Sequence, residues 1–275
     1  MWDTIIIGPF INILLFIYNL VGQNFGIAII LFTILVRLIT YPLTAQQLKG
    51  TKKMQELQND KRWLEIQTKY KNDREKLSQE QMKMYKDIGY NPMSACLPTL
   101  IQFPIIIGLY QAIIRALAST PLELLGLMRF IYGGVQDAGS MIPLNSSFLW
   151  MDLGLPERLH LPILSFGIPV LAIVVVITTY LQSKLSQPAT TSSNPGSQSS
   201  AMMGNMMNIY MPFLMGYLAY TLAAGLSLYF VISNVVGILQ YALMGRLNWK
   251  NLLPKGNPKV SGSNQQKAID TKKSR

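Results

Sequence analysis

Residues 25–44, FGIAIILFTILVRLITYPLT, decide the fold class. From Phe25 to Tyr41 the only charged side chain is Arg37. A spanning helix needs about 20 mainly apolar residues, or about 17 at the short end, so this stretch is expected to cross a membrane. Residues 93–117, 161–181 and 226–244 qualify on the same ground. Residues 208–224 add a short span, apolar apart from Asn208 and Thr221, and only Gly225 separates it from the last one. Those two are expected to form a tight hairpin across the bilayer.

The composition of the whole chain points the same way. It has 275 residues, of which 50% are hydrophobic and 13% charged. A soluble domain carries roughly 25% charge, and the mean hydropathy here is positive, +0.27. A soluble globular protein and a disordered one are both excluded. The lone Cys96 rules out an internal disulfide framework, and the lone His160 leaves almost nothing for a zinc or haem site. No metal or cofactor is expected. No Gly-rich loop ending in GK[ST] is present, so no nucleotide is expected either. A Ser/His/Asp triad would have to use His160, which has no motif around it, and a Ser–Lys pair would have only Lys184. The chain is not expected to be an enzyme.

The 24 Lys and Arg residues cluster. Eleven lie in residues 46–91 and eight in residues 246–275, whereas residues 118–160 hold two with four acids. By the positive-inside rule the two basic regions are cytoplasmic and residues 118–160 lie outside. Five spans with the N-terminus outside and the C-terminus in the cytoplasm satisfy every assignment. The net charge of +11 is then mainly a topology signal.

The expected organisation follows the chain. Residues 1–22 form an interfacial amphipathic helix on the outer surface, with Gly8, Asn12, Asn19 and Gln23 as a polar stripe; a sixth span is the alternative. Span one covers residues 23–45. Residues 46–91 form a cytoplasmic helical hairpin turning near residues 71–73, where Asn72 and Glu75 have capping-box spacing. It is either a solvated linker or a docking paddle. Span two covers 92–117, the extracytoplasmic loop 118–160, and span three 161–182. Residues 183–205 are a flexible, low-complexity cytoplasmic loop. Spans four and five cover 206–224 and 225–245. Residues 246–275 are a basic, disordered cytoplasmic tail, either an anchor at the anionic leaflet or a contact for ribosomal RNA. Six of the fifteen methionines fall between Met202 and Met215, which suits either a surface for many apolar partners or ordinary interface packing.

Arg37 is the expensive residue. An arginine near the bilayer centre costs roughly 2.5–3.5 kcal/mol on insertion scales. All 13 acids fall outside the expected spans, so none is available there as a counter-ion. Arg37 either snorkels to the cytoplasmic end or lines a polar cavity. Thr33, Arg37, Thr40 and Thr44 share one helical face. Other spans supply Gln102, Thr178, Gln182, Ser227, Ser233, Asn234 and Gln240, and prolines 42, 98, 104, 162, 169 and 212 would bend or loosen them.

Four stretches in order then resemble one family. LVRLITYPLTAQQLKGTKKMQELQ (35–58), LSQEQMKMYKDIGYNPMSACLPTLIQFPIIIGLYQAI (77–113), FLWMDL (148–153) and GLSLYFVISNVVGILQ (225–240) are similar to the YidC-type (Oxa-type) membrane protein insertases. The resemblance runs over residues 25–246. It implies an all-α polytopic membrane protein with five transmembrane helices around a hydrophilic groove, a cytoplasmic hairpin and no large extracytoplasmic domain. The implied function is insertion and chaperoning of membrane proteins in a bacterial inner membrane, alone or beside a Sec translocon. Nascent membrane proteins and the lipid bilayer are the implied partners, with the ribosome and signal recognition machinery as further ones. By the resemblance Arg37 matches the groove arginine and Gln182 a polar groove position. Phe230 stands where relatives usually carry Trp or Tyr, keeping the ring without the polar handle. The candidate groove residues are Thr33, Arg37, Thr40, Gln102, Gln182, Phe230 and Ser233. The rival function is a small-solute transporter or channel, which would predict inverted repeats and paired intramembrane charges; neither is evident.

Overall fold

The computed structural model describes residues 1–58, 60–70, 73–89, 93–117, 120–132, 144–159, 167–186, 209–245 and 247. They are mostly helical, with one two-stranded hairpin. A π-helical turn, Asp3–Ile7, runs into α1, Gly8–Leu20. The chain reverses through residues 21–24, where the side chain of Asn24 accepts from the Ile27 N–H and starts α2, Phe25–Ile39. α3, Tyr41–Gln58, leaves α2 at an angle of 51° measured over Tyr41–Gly50. Pro42 explains the break, because it has no N–H to carry the helical ladder on.

α4, Lys61–Lys69, is capped by Asp60, and α5, Arg74–Asp87, by Asp73. The α5 cap therefore lies one residue beyond Asn72, the position the capping-box spacing pointed to, and Asn72 itself lies outside the described residues. The ring of Trp63 packs 5.5 Å from that of Tyr85, joining α4 to α5. α6, Met93–Ala116, follows. α7, Pro121–Met128, opens on a capping box in which Thr120 and Glu123 each accept the other's backbone N–H. Strands β1, Ser147–Phe148, and β2, Met151–Asp152, form the hairpin.

α8, Val170–Ser186, starts later than residue 161, where span three was placed; residues 160–166 lie outside the described residues. Gly167–Pro169 is not helical. The start is held by Glu157, a buried carboxylate that accepts from the Leu171 N–H and from Trp150 Nε1, both at 3.0 Å. A carboxylate at a helix N-terminus satisfies an orphan donor and complements the helix dipole. At its other end α8 continues through Ser186, into the stretch read as the start of a loop, because Leu185 is buried and Ser186 Oγ bonds back to the Gln182 carbonyl. α9, Met211–Thr221, and α10, Ala224–Leu243, complete the chain.

The turn between α9 and α10 falls at Leu222–Ala223 and not at Gly225, which lies in the first turn of α10. Gly225 is there for close approach: a Cβ would meet Ile29 Cδ1 and the Leu153 carbonyl at 3.1 Å each. Its N–H donates to that carbonyl, and the Ala224 N–H donates to Leu155. The FLWMDL loop is thus tied to the head of α10.

Among the described residues, Asp3–Leu20 and Ala224–Leu243 are long and apolar enough to cross a membrane, and α2 with the first part of α3 would make a third if the bent pair is one span. The polar stripe read in residues 1–22 divides, with Asn19 and Gln23 exposed. Gly8 and Asn12 are buried, and Asn12 bonds to the carbonyls of Gly8 and Phe130 and to the Tyr132 N–H. The core lies among α1, α2, α6 and α10 and includes Ile11, Phe25, Ile29, Leu109, Ile113 and Leu226.

Candidate functional site

α2 and α10 run side by side in the same direction, Ile29 lying against Gly225 and Arg37 against Ser233. Arg37 Nε donates to Ser233 Oγ at 2.8 Å and Nη2 to the same oxygen at 2.5 Å. The Arg37 carbonyl accepts from Gln240 Nε2 at 3.0 Å. The guanidinium therefore lies nearer the start of α10 than the carbonyl does, bonded to Ser233 and beside Gly237. This direction opposes snorkelling to the C-terminal end of α2. Side chains on a helix lean toward its N-terminus, and here that lean carries the charge to the middle of α10.

Gly237 lies between those two anchor points. A Cβ there would stand 2.5 Å from Gln182 Nε2 and 3.8 Å from Arg37 Nη1. Gln182 from α8 and Arg37 from α2 thus converge above a position without a side chain. Gln102 from α6 arrives one step removed, donating from Nε2 to the Tyr229 hydroxyl at 2.6 Å, and that hydroxyl also engages Ser233. One residue beyond Ser233 on α10, Asn234 donates to Thr178 at 3.1 Å and to Thr179 at 2.8 Å, binding α8 to α10. Interhelical bonds of this kind contribute about 0.6 kcal/mol on average.

The expected residues divide into two groups. Arg37, Gln102, Gln182 and Ser233 meet in one polar cluster, with Gln102 joined through Tyr229. Thr33, Thr40 and Phe230 do not. Thr33 is fully buried and its hydroxyl donates to the Ile29 carbonyl at 2.6 Å. The Thr40 hydroxyl is turned to the carbonyls of Val36 and Arg37. Phe230 is a core residue. Tyr229, Thr179 and Gly237 were missed. Periodicity could have found Tyr229 and Gly237, which lie four residues before and after Ser233 on α10.

The charge of Arg37 is left open. The ion pairs Lys76–Asp73, Lys83–Glu80 and Arg115–Asp3 do not involve it. Groups of three or more His, Cys, Asp or Glu placed to hold a metal are not found among those residues. The cluster is a neutral set of hydroxyls and amides around one cation, suited to holding a polar or anionic group by charge and hydrogen bonds.

Comparison with known proteins finds relatives of the chain as a whole. Residues 16–251 match the family model described as the 60Kd inner membrane protein. The chain is 33% identical over 249 residues to the membrane protein insertase YidC of Oceanobacillus iheyensis, covering 89% of this chain and 84% of that one. It is 33% identical over 245 residues to the membrane protein insertase MisCA of Bacillus subtilis, covering 88% and 78%. It is 37% identical over 221 residues to YidC of Clostridium perfringens, covering 80% and 78%.

Proposed function

We infer the working of this chain from its membership: it belongs to the 60Kd inner membrane protein family and is a membrane protein insertase whose substrates are nascent membrane proteins. The small-solute transporter alternative has no support among the relatives.

The proposed mechanism uses no nucleotide and five spans, with the N-terminus outside and the C-terminus in the cytoplasm. A polar outer segment of the substrate enters a groove open to cytoplasm and lipid. Arg37, Ser233, Gln182 and, through Tyr229, Gln102 replace part of its hydration. The apolar segment leaves sideways into lipid. At −0.3 to −0.6 kcal/mol per apolar residue, a 20-residue span releases roughly 6–12 kcal/mol. Membrane potential adds about 2.3 kcal/mol per charge per 100 mV and favours outward movement of acidic tails. These terms suffice for a short outer segment. A long polar domain would call for a translocon partner of the Sec type, and the basic tail offers a phosphate contact for a ribosome. The signal recognition machinery would deliver such substrates.

The observation that carries the mechanism is the guanidinium of Arg37, aimed at the middle of α10 and held by a neutral hydroxyl. Nothing in its described surroundings cancels the charge, so an acidic substrate segment can. The test is the purified full chain in liposomes, with protease protection of two single-span substrates that differ only in outer-tail charge. Faster insertion than in empty liposomes, larger for the acidic tail, is expected. Equal rates for both tails would remove the electrostatic role.

A further inference from the structure

Gln240 is buried on α10, and its two amide atoms are treated differently. Nε2 donates to the Arg37 carbonyl, whereas Oε1 has no partner among the described residues. An unpartnered buried acceptor is unfavourable, yet exchanging the two atoms would set one acceptor against another. The amide is therefore oriented for donation to Arg37.

The need for that donor comes from the break between α2 and α3. Pro42 leaves the Leu38 carbonyl without its i+4 N–H, and at the same break the neighbouring carbonyls of the last turn of α2 take side-chain donors. The Thr40 hydroxyl serves Val36 at 2.9 Å and Arg37 at 3.4 Å, and Gln240 reaches Arg37 from the neighbouring helix at 3.0 Å. Arg37 is consequently fixed to α10 at two levels, by its carbonyl at Gln240 and by its guanidinium at Ser233.

We propose that Gln240 is a positioning residue for Arg37, pinning the last turn of α2 to α10 beside the break and so fixing the point from which the guanidinium reaches its site. This deepens the role given to Arg37 above and rests on it. Gln240 acts on the backbone of the arginine, whose charge stays free for substrate.

The experiment uses the full chain in liposomes, with Gln240→Met, which keeps the length and removes the donor. Spin labels at Leu31→Cys on α2 and Lys53→Cys on α3, in a Cys96→Ser background, report the angle at the break. Gln240→Met is expected to broaden that distance distribution and to slow insertion of the acidic-tail substrate about three- to tenfold, the range of one lost hydrogen bond. In an Arg37→Ala background it is expected to slow insertion no further. An unchanged distance distribution, or the same loss in both backgrounds, overturns the proposal. Gln240→Ser supplies the same pair of measurements should the methionine variant fold poorly. If Arg37→Ala alone leaves insertion unchanged, the role of Arg37 in the groove fails, and the distance distribution then decides by itself whether Gln240 clamps the break.

Discussion

Arg115 and Arg37 both sit on apolar helices, and their surroundings treat the charge in opposite ways. Arg115, at the end of α6, donates from Nη1 to Asp3 Oδ1 at 2.8 Å, and its guanidinium lies 4.8 Å from the centre of the Phe130 ring. Trp2 Nε1 bonds to Gln111 one turn away, so the start of the chain is fastened to α6. That arginine has a carboxylate, an aromatic face and partial exposure. Arg37 is half-buried between α2 and α10 and, among the described residues, has the Ser233 hydroxyl as its side chain's hydrogen-bond acceptor. A charge neutralised by its own chain serves architecture. A charge held in place without being neutralised retains electrostatic attraction for an incoming group, and low local dielectric strengthens that attraction.

Loss of the charge should act differently at the two arginines. Arg37→Ala should slow insertion of the acidic-tail substrate about 5- to 30-fold, from a loss of about 1–2 kcal/mol, with a much smaller effect on the neutral tail. Arg37→Lys should keep much of the activity, since it keeps the charge and loses the fork. Equal losses on both tails, at normal expression, would mean that Arg37 is a structural residue like Arg115.

A sharper version gives Arg37 what Arg115 already has. Ser233→Asp places a carboxylate at the position now held by the hydroxyl. Insertion of the acidic-tail substrate should fall nearly as far as in Arg37→Ala, because the charge would be cancelled from within. Preserved insertion by a folded Ser233→Asp protein would show that an open charge is not what the site provides. Ser233→Ala should do less, about two- to tenfold, since it removes one acceptor and leaves the charge. Insertion kinetics with both substrates separate the two variants.

The smallest effect belongs to the other arginine. Asp3→Asn should leave insertion of both substrates unchanged and reduce thermal stability in detergent by no more than about 1 kcal/mol, an effect that shrinks with added salt. A large, tail-dependent loss of insertion would contradict the division drawn between the two sites.

The periodicity that placed Thr33 on the face of Arg37 was sound as geometry and misleading as chemistry. A helical face is a direction, and what it meets changes along the axis. At Thr33 the neighbours are core, so the hydroxyl turns to its own helix. At Arg37 the same face meets Ser233, Gly237 and Gln240 of α10. Phe230 shows the converse: expected at the groove, it is core, while the adjacent Tyr229 brings a hydroxyl to the cluster.

The membrane character, the apolar stretches, the uneven basic charge and the isolation of Arg37 from acids were all readable in the residues. Each depends only on composition along the chain and the cost of placing charge in hydrocarbon. Where helices begin and end was less readable, because remote groups decided it. Glu157 starts α8 from fourteen residues away, and the Leu153 carbonyl fixes the head of α10. The direction of Arg37 belonged wholly to the tertiary structure. Sequence pattern left it free to point either way along its helix, and only the placement of Ser233 and Gln240 on a neighbouring helix determined where the charge rests. Hydrogen bonds act over about 3 Å, so their partners are set by packing between segments nearly two hundred residues apart.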